Sequence, residues 1–354
     1  CGAIFYLLHI CTNSMKRNSL LTGVLLVLAL IPLAGRGQSP KADKQYIVMY
    51  DSLLVGRFYF SQKYTSISLR SGDHRLWYRP NTTFNVGIGA TYRWFSLNLA
   101  YKAPGLNNDE ERGKTKYLDL QAHIYPRYWA IDFYGQNYHG YHSDPIQYPG
   151  QPGTDWYLRP DIKLNLYGLS AYRLHNGNRF SFRAPFLQNE WQHRSSGTWM
   201  YGAELHGAVL KADSSLVPNA KATDFAQAGV NQVKWLQGGI GGGYAYTLVI
   251  ARHFFLTAAA TVSAQAVLAE TQQANATQSK LSFGPNYAFK AAVGYNSDRW
   301  MVCFTNAPNR MALRNLGWND PTVLSTGNYR FNIAHRFVPG ARLRKKLRVL
   351  DPKR

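Results

Sequence analysis

Between Thr82 and Tyr92 the chain alternates strictly. Phe84, Val86, Ile88, Ala90 and Tyr92 interleave with Thr83, Asn85, Gly87, Gly89 and Thr91, so one face is apolar and the other small and polar. A period of two is that of a strand. Hairpins test the pattern, because a two-residue turn makes its flanking residues pair and share a face. Tyr92 and Phe95 flank Arg93-Trp94, and the following stretch keeps Phe95, Leu97, Leu99 and Tyr101 on one face with Ser96, Asn98 and Ala100 on the other. Around Pro126-Arg127, Leu118, Leu120, Ala122 and Ile124 fall in line with Trp129, Ile131 and Phe133. Around Ser297-Asp298, the rule pairs Tyr295 with Trp300, Val293 with Val302 and Ala291 with Phe304. Three hairpins keep one register.

Comparable stretches lie near 57–70, 82–92, 95–102, 115–125, 128–138, 161–173, 179–187, 197–210, 236–249, 252–268, 284–296, 299–306 and 326–337. Tight turns near 93, 126, 175, 250 and 297 alternate with long polar connections at 102–114, 139–160, 269–283 and 307–325. The polar faces carry Asn, Gln, Asp, Gly and Thr instead of a Lys/Glu mix, and aromatics cluster at the short turns: Tyr92, Trp94 and Phe95; Tyr125, Tyr128 and Trp129; Phe254 and Phe255; Tyr295 and Trp300. A soluble sandwich shares the alternation but not that girdle. The expectation is an all-β protein, a transmembrane antiparallel up-and-down β-barrel of about 12 strands (range 10–14) with short periplasmic turns and long extracellular loops. Single-chain bacterial barrels have even strand numbers, so the odd count must resolve. Either 197–210 is an extracellular excursion, giving twelve, or 211–235 hides a strand, giving fourteen; twelve is the expected number.

The start of the chain suggests export. Met15-Lys16-Arg17 precedes an apolar run from Leu20 to Leu33 and the small-residue stretch Ala34-Gly35-Arg36-Gly37, the order of a secretory signal peptide. That run falls short of the ~20 residues a spanning helix needs. The expected organisation is an upstream extension at 1–14, a signal peptide at 15–37, a periplasmic segment at 38–56, the barrel at 57–337 and a basic periplasmic tail at 338–354. The closing strand puts Tyr329, Phe331, Ile333, His335 and Phe337 on one face, which resembles an outer-membrane assembly signal, here internal because the tail follows it. Of the three cysteines only Cys303 lies beyond the leader, so the mature chain has no internal disulfide.

Several phrases carry a family resemblance: Tyr78-Arg79-Pro80-Asn81; Phe180-Ser181-Phe182-Arg183-Ala184 leading to Gln188, Glu190, Gln192, Ser195 and Gly197; Gly243-Tyr244-Ala245-Tyr246; Gly294-Tyr295-Asn296; and Gly327-Asn328-Tyr329-Arg330-Phe331. Together they resemble a family of exported Bacteroidota proteins classed as a domain of unknown function. The resemblance runs from about Tyr50 to Phe337, with Phe180 to Gly197 its most specific block. It implies an outer-membrane location and supplies no activity.

The net charge of +21 falls to +18 once Lys16, Arg17 and Arg36 leave with the leader. Such a balance favours anionic partners. The basic residues are scattered singly except in the tail block Arg342 to Arg348, so nucleic acid is not an expected partner. Gly87-Ile88-Gly89 lacks the third glycine and the following helix of a dinucleotide fingerprint, and Gly238 to Gly243 lacks a following Lys-Ser or Lys-Thr. Neither His139, His142, Ser143 and Asp144 nor Glu190, His193 and Ser195 has diagnostic spacing, and no histidine set has complete metal-ligand spacing. No catalytic residue, cofactor or metal is assigned. Asp119, His123, Asp132 and Gln136 should line the lumen, joined by Lys163 and Arg183 if later strands keep register, and by Arg330 on the polar face of the last strand. These groups line a solute path or knit a polar network that only supports the wall. Three functions are open: a channel for small, anionic solutes; a structural or surface-interaction barrel without transport; and a rim-site lipid or glycolipid hydrolase. Expected partners are outer-membrane lipid and lipopolysaccharide, and the barrel-assembly machinery during insertion.

Overall fold

Period-two alternation becomes strand nearly everywhere. The computed structural model describes residues 42–93, 95–103, 109–144, 156–273, 276–313 and 320–347, so the expected upstream extension, signal peptide and Trp94 lie outside the described residues. In chain order the strands are β1 (Ile47–Met49), β2 (Leu54–Ser71), β3 (His74–Arg79), β4 (Asn85–Tyr92), β5 (Phe95–Lys102), β6 (Lys116–Ile124), β7 (Trp129–Ser143), β8 (Tyr157–Leu174), β9 (Glu190–Gln192), β10 (Ser196–Lys211), β11 (Val230–Ile250), β12 (Phe254–Gln273), β13 (Ala276–Asn296), β14 (Trp300–Asn306), β15 (Asn309–Leu313) and β16 (Thr322–Phe337). Two short helices are α1 (Arg183–Leu187) and α2 (Ala341–Leu347).

Fourteen strands form one antiparallel sheet. Ten of them, β2, β3, β7, β8, β10, β11, β12, β13, β14 and β16, close a ring, with β16 returning to β2 from Val323↔Ser68 to Phe337↔Leu54. Four more attach to it: β4 on β2, β5 on β4, β6 on β7, and β15 between β13 and β16. β1 and β9 pair separately, inside the barrel's short-turn end.

The outward face is apolar. Ile88, Ile240 and Phe283 are 62%, 75% and 69% exposed, and Leu97, Leu99, Leu118, Tyr201, Val262, Phe304 and Phe331 continue the belt. A water-soluble protein of this size rarely exposes such a contiguous surface. Inward positions hold Arg57, Ser61, Thr65, Gln136, Glu204, Gln265, Asn286 and Asn332, all buried. Polar inside and apolar outside is the inverse of a soluble core. Close approach needs glycine on the inner wall: a Cβ at Gly168 would stand 2.1 Å from the ring of Tyr134.

The structure departs from the sequence-based reading in several places. The expected long polar connection at 269–283 is mostly strand, β12 running to Gln273 and β13 starting at Ala276. Residues 179–187 are not a strand; Pro185 and the fixed turn at Gln188 (φ 60°) make a short helix there. The stretch 197–210, expected as an extracellular excursion, is wall strand β10. β3 was not anticipated, because Arg75-Leu76-Trp77-Tyr78 alternates over too few residues to stand out. The hairpins at Pro126 and Ser297 are each longer by two residues, pairing Ile124 with Ile131, Tyr295 with Val302 and Val293 with Phe304, slips that leave every face unchanged. The girdle is also thinner than expected, since Tyr92, Tyr125 and Phe255 are buried while Trp129, Phe254, Tyr295 and Trp300 are exposed.

Candidate functional site: a plugged lumen with a polar middle

The lumen is filled in three tiers. At the long-loop end an apolar cluster of Ile67, Leu69, Tyr78, Ile162, Leu210 and Trp235 takes in Leu216, Val217 and Phe225 from the β10–β11 connection. Tyr78 Oη donates to the Leu216 carbonyl at 2.6 Å, and Gln227 Nε2 to that of Arg70 at 2.8 Å, which pins this connection across the mouth.

At the short-turn end the segment between β8 and β10 folds back into the barrel and pairs through β9 with β1. Phe180, Phe182 and Leu187 bury against Tyr125, Ala130, Tyr172, Leu174 and Met200 of the wall. Glu190 is the electrostatic centre of this plug. Its carboxylate, wholly buried, receives Arg127 Nη2 at 2.6 Å and Nη1 at 3.2 Å, Arg183 Nη1 at 3.1 Å and the Ser181 hydroxyl. Ser181 also caps α1, accepting from Ala184 N at 3.1 Å. Arg183 reaches Asp51 at 3.1 Å and the Arg93 carbonyl at 3.2 Å. Gln188 closes α1 in the left-handed conformation, Gln192 accepts from Ser181 N, and Ser195 exchanges hydrogen bonds with the backbone of Val249. Gly197 gives Tyr244 room against β10. From the wall, Arg336 donates to the carbonyls of Gln188 (2.9 Å) and Glu190 (3.3 Å). The block from Phe180 to Gly197 is therefore the plug itself and its hinge into β10. Cys303 lies sealed beneath it, its Sγ donating to the Pro185 carbonyl at 3.7 Å.

The chain belongs to the DUF4421 family, a domain of unknown function, matched over residues 41–337. No curated protein matches it. Among solved structures, the DUF4421 chain is similar to the outer-membrane protease OmpT of Escherichia coli (11% identity, TM-score 0.32, covering 82% of this chain and 98% of that one). It is also similar to the translocator domain of the autotransporter NalP of Neisseria meningitidis (8%, 0.35, 92% and 98%) and to OprG of Pseudomonas aeruginosa (12%, 0.23, 82% and 98%).

Between the apolar mouth and the plug of this DUF4421 barrel lies a polar middle tier. A cavity of about 100 Å³ is lined by Gln121, His123, Asp132, Tyr172, Glu204 and Lys290, among others. Asp132 bridges His123 Nδ1 (2.6 Å), Tyr125 Oη (2.7 Å) and the Lys290 ammonium. Glu204 accepts from Tyr172 Oη, Ser263 Oγ (3.0 Å), Gln265 Nε2 (3.1 Å) and Asn286 Nδ2 (2.8 Å), and among the described residues no cation pairs with it. Asp119 pairs with Lys63 at 2.9 Å and accepts from Gln136 Nε2 (2.8 Å) and Tyr138 Oη (3.0 Å).

Of the expected lumen residues, Asp119, His123, Asp132 and Gln136 come together here. Arg330 faces inward too, its guanidinium 4.6 Å from the Tyr59 ring centroid. Arg183 is in the plug, not on the wall. Lys163 is a correction: it is exposed and lies on the outward face of β8, since its neighbours Ile162 and Leu164 are the buried ones. Glu204, Lys290 and Lys63 were missed, because a single charge in a strand whose partners are unknown carries no spatial signal. Among the described residues no relay links Glu190, His193 and Ser195. Glu190 is held by two arginines, and Ser195 bonds only to backbone; among the described residues no group of three His, Cys, Asp or Glu is placed to hold a metal ion.

His193 is expected to make the plug sensitive to acid. Its ring packs against Trp191 with centroids 4.0 Å apart, and burial, with Arg252 and His253 nearby, holds the imidazole below its usual range against the opposing pull of Asp298. A depressed histidine is neutral in the fold, so the unfolded chain binds the proton first and stability falls as pH drops through about 6.5. Thermal midpoints of the wild type and His193→Gln, compared between about pH 7.5 and 5, are expected to diverge, with the wild type losing more on acidification. Parallel curves would remove His193 from the plug's pH response.

Proposed function

We propose that the protein is an outer-membrane β-barrel whose lumen is shut to bulk solutes, and whose polar middle tier is reached sideways from the bilayer by the head of an amphiphile. Twelve chain passes make the wall in this reading: β2, β4, β5, β6, β7, β8, β10, β11, β12, β13, β14 continued by β15, and β16. The short turns face the periplasm, and the barrel-assembly machinery is the partner at insertion.

One observation carries the proposal. β5 and β6 are consecutive wall strands, yet among the described residues they share no ladder; both are free edges of the sheet. A free edge facing lipid leaves backbone groups unsatisfied at several kcal/mol each, so a barrel that keeps one has a use for it or a latch across it. The upper part is latched. Lys63 of β2 donates to the Asp119 carbonyl on the β6 edge at 2.7 Å as well as to its carboxylate, and Asn85 Nδ2 lies 3.4 Å from Tyr117 Oη. Below the latch, Gln121 and His123 stand between the seam and the cavity. Lys290 and His123 there favour an acidic or strongly dipolar head group.

Accessibility tests this. In a Cys303→Ser background reconstituted in vesicles, a bilayer-restricted maleimide is expected to label His123→Cys about tenfold faster than Ser170→Cys, which lines the cavity from β8. A water-soluble reagent should label neither. Equal rates for both sites with the lipid-soluble reagent would sink lateral access.

A gated channel is the second reading, favoured by the polar attachment of the plug around Glu190. It rests on the plug leaving, and conductance in planar bilayers then appears only when those contacts are broken.

A further inference from the structure

The outward face of the β2–β3 hairpin carries a row of arginines that neither the plug nor the seam uses. The stacked rings of Tyr64 and Tyr329, centroids 5.5 Å apart, end the aromatic belt on β2 and β16. One rung higher Ser66 pairs with Ser325, and Ser325 with Arg310 of β15. Arg79 follows Tyr78, which pairs with Ile67, so it falls at the same height. Above them Ser68 pairs with Trp77, and Arg70 with Arg75. Tyr78 and Leu76 are buried in the lumen, so Arg75, Trp77 and Arg79 face out. Trp77 lies between two guanidiniums, Arg75 at 4.4 Å and Arg79 at 3.6 Å from its ring centroid.

This is a dense charge without an answer. Arg75 feels the like charges of Arg70, Arg310 and Arg79. Among the described residues no carboxylate comes within 4.0 Å of any of the four. The Nε atoms of Arg70 and Arg79 are shielded from solvent and, among the described residues, have no hydrogen-bond partner. Arginine on a rigid strand presents a planar fork suited to the oxygens of a phosphate.

We propose that this face binds the phosphate groups of a glycolipid of the outer leaflet. The site rests on the chain residing in a membrane and is independent of lateral access. Its position selects the occupant: the arginines begin one rung above the aromatic belt, where head groups lie, and below them Phe58, Phe60 and Phe331 offer an apolar wall to acyl chains. A free phosphate gains nothing from that wall.

Native mass spectrometry of the folded, detergent-solubilised protein tests the site, with a bisphosphorylated glycolipid, the same lipid stripped of phosphate, and inorganic phosphate as probes. Combined substitution of Arg70→Gln, Arg75→Gln, Arg79→Gln and Arg310→Gln is expected to weaken binding of the phosphorylated lipid by about thirtyfold or more. Lys163→Gln with Lys211→Gln, an outward basic pair on β8 and β10, should change it less than about twofold. If the fourfold variant fails to fold, Arg75→Gln and Arg310→Gln, both exposed, are each expected to weaken binding by about twofold to threefold. Undiminished binding in the fourfold variant, or equal retention of the dephosphorylated lipid, overturns the proposal. Inorganic phosphate competing at the lipid's own concentration overturns the lipid as its occupant. Heat-modifiable migration of the wild type separates these results from failure of the membrane reading, because a chain that lacks it is no membrane barrel.

Discussion

Glu190→Gln is expected to free the plug. Glutamine keeps the shape but removes the charge that holds Arg127 and Arg183, whose guanidiniums lie 2.6 Å and 3.1 Å from the carboxylate. All three side chains are largely withdrawn from water, and breaking a buried pair from one side costs about 3–5 kcal/mol. Spent on the docked state, that raises the undocked population on the order of a hundredfold or more. Cys303 supplies the readout without an added label site, because it is 1% exposed and covered by Pro185 and Gln188. Its alkylation rate by a small water-soluble maleimide should rise by a similar factor, while heat-modifiable migration shows the ring intact. Planar-bilayer recordings of the same variant separate the two readings of function. Current through Glu190→Gln and none through the wild type favours a gated channel; a fast-labelling variant that stays silent leaves the apolar mouth as a second closure and favours lateral access. A variant whose Cys303 remains as slow as in the wild type would show that Glu190 does not hold the plug.

Asp119→Ala is the second large effect. The carboxylate is the acceptor for Lys63, Gln136 and Tyr138 at once, and its side chain is only 1% exposed. Removing it leaves a buried ammonium and two buried donors unmatched, a loss of about 3–5 kcal/mol. The damage should be directional, since Lys63 is also the group that covers the free backbone carbonyl of β6. Amide hydrogen exchange over 116–124 is expected to accelerate by about tenfold or more, with β12 and β13 unchanged, and the denaturant midpoint to fall. Asp119→Asn, which keeps an acceptor, should land between. Uniform acceleration in all strands would mean that Asp119 supports the barrel generally and that the seam has no latch.

Much of the wall was legible before any coordinates. Tyr92 does pair with Phe95, as the two-residue turn requires, whereas Ile124 pairs with Ile131 and not with Trp129; a register fixes the faces of the whole strand. The slipped hairpins at Pro126 and Ser297 keep their faces, because a shift of two residues preserves alternation. The plug was visible only as a family-like phrase. Phe180-Ser181-Phe182 alternates briefly and reads as a strand, and nothing local distinguishes apolar residues that face lipid from those that face a lumen. Glu190 illustrates the same limit: its neighbours in sequence are Asn189 and Trp191, whereas its partners are 63 residues away at Arg127 and seven away at Arg183.

The sequence by itself determined that this chain is built of antiparallel strands with one apolar and one polar face, because backbone geometry turns a period of two directly into two faces. Tertiary structure alone decided which groups meet inside. The closed wall brings Lys63 to Asp119 at the seam, and Lys290 to Asp132 and Glu204 to Asn286 within the lumen. It also decided that β5 and β6 do not join and that a segment from between two wall strands fills the end of the barrel. Those outcomes depend on curvature, diameter and space left over after the walls close, quantities that belong to all the strands together and to no single stretch of them.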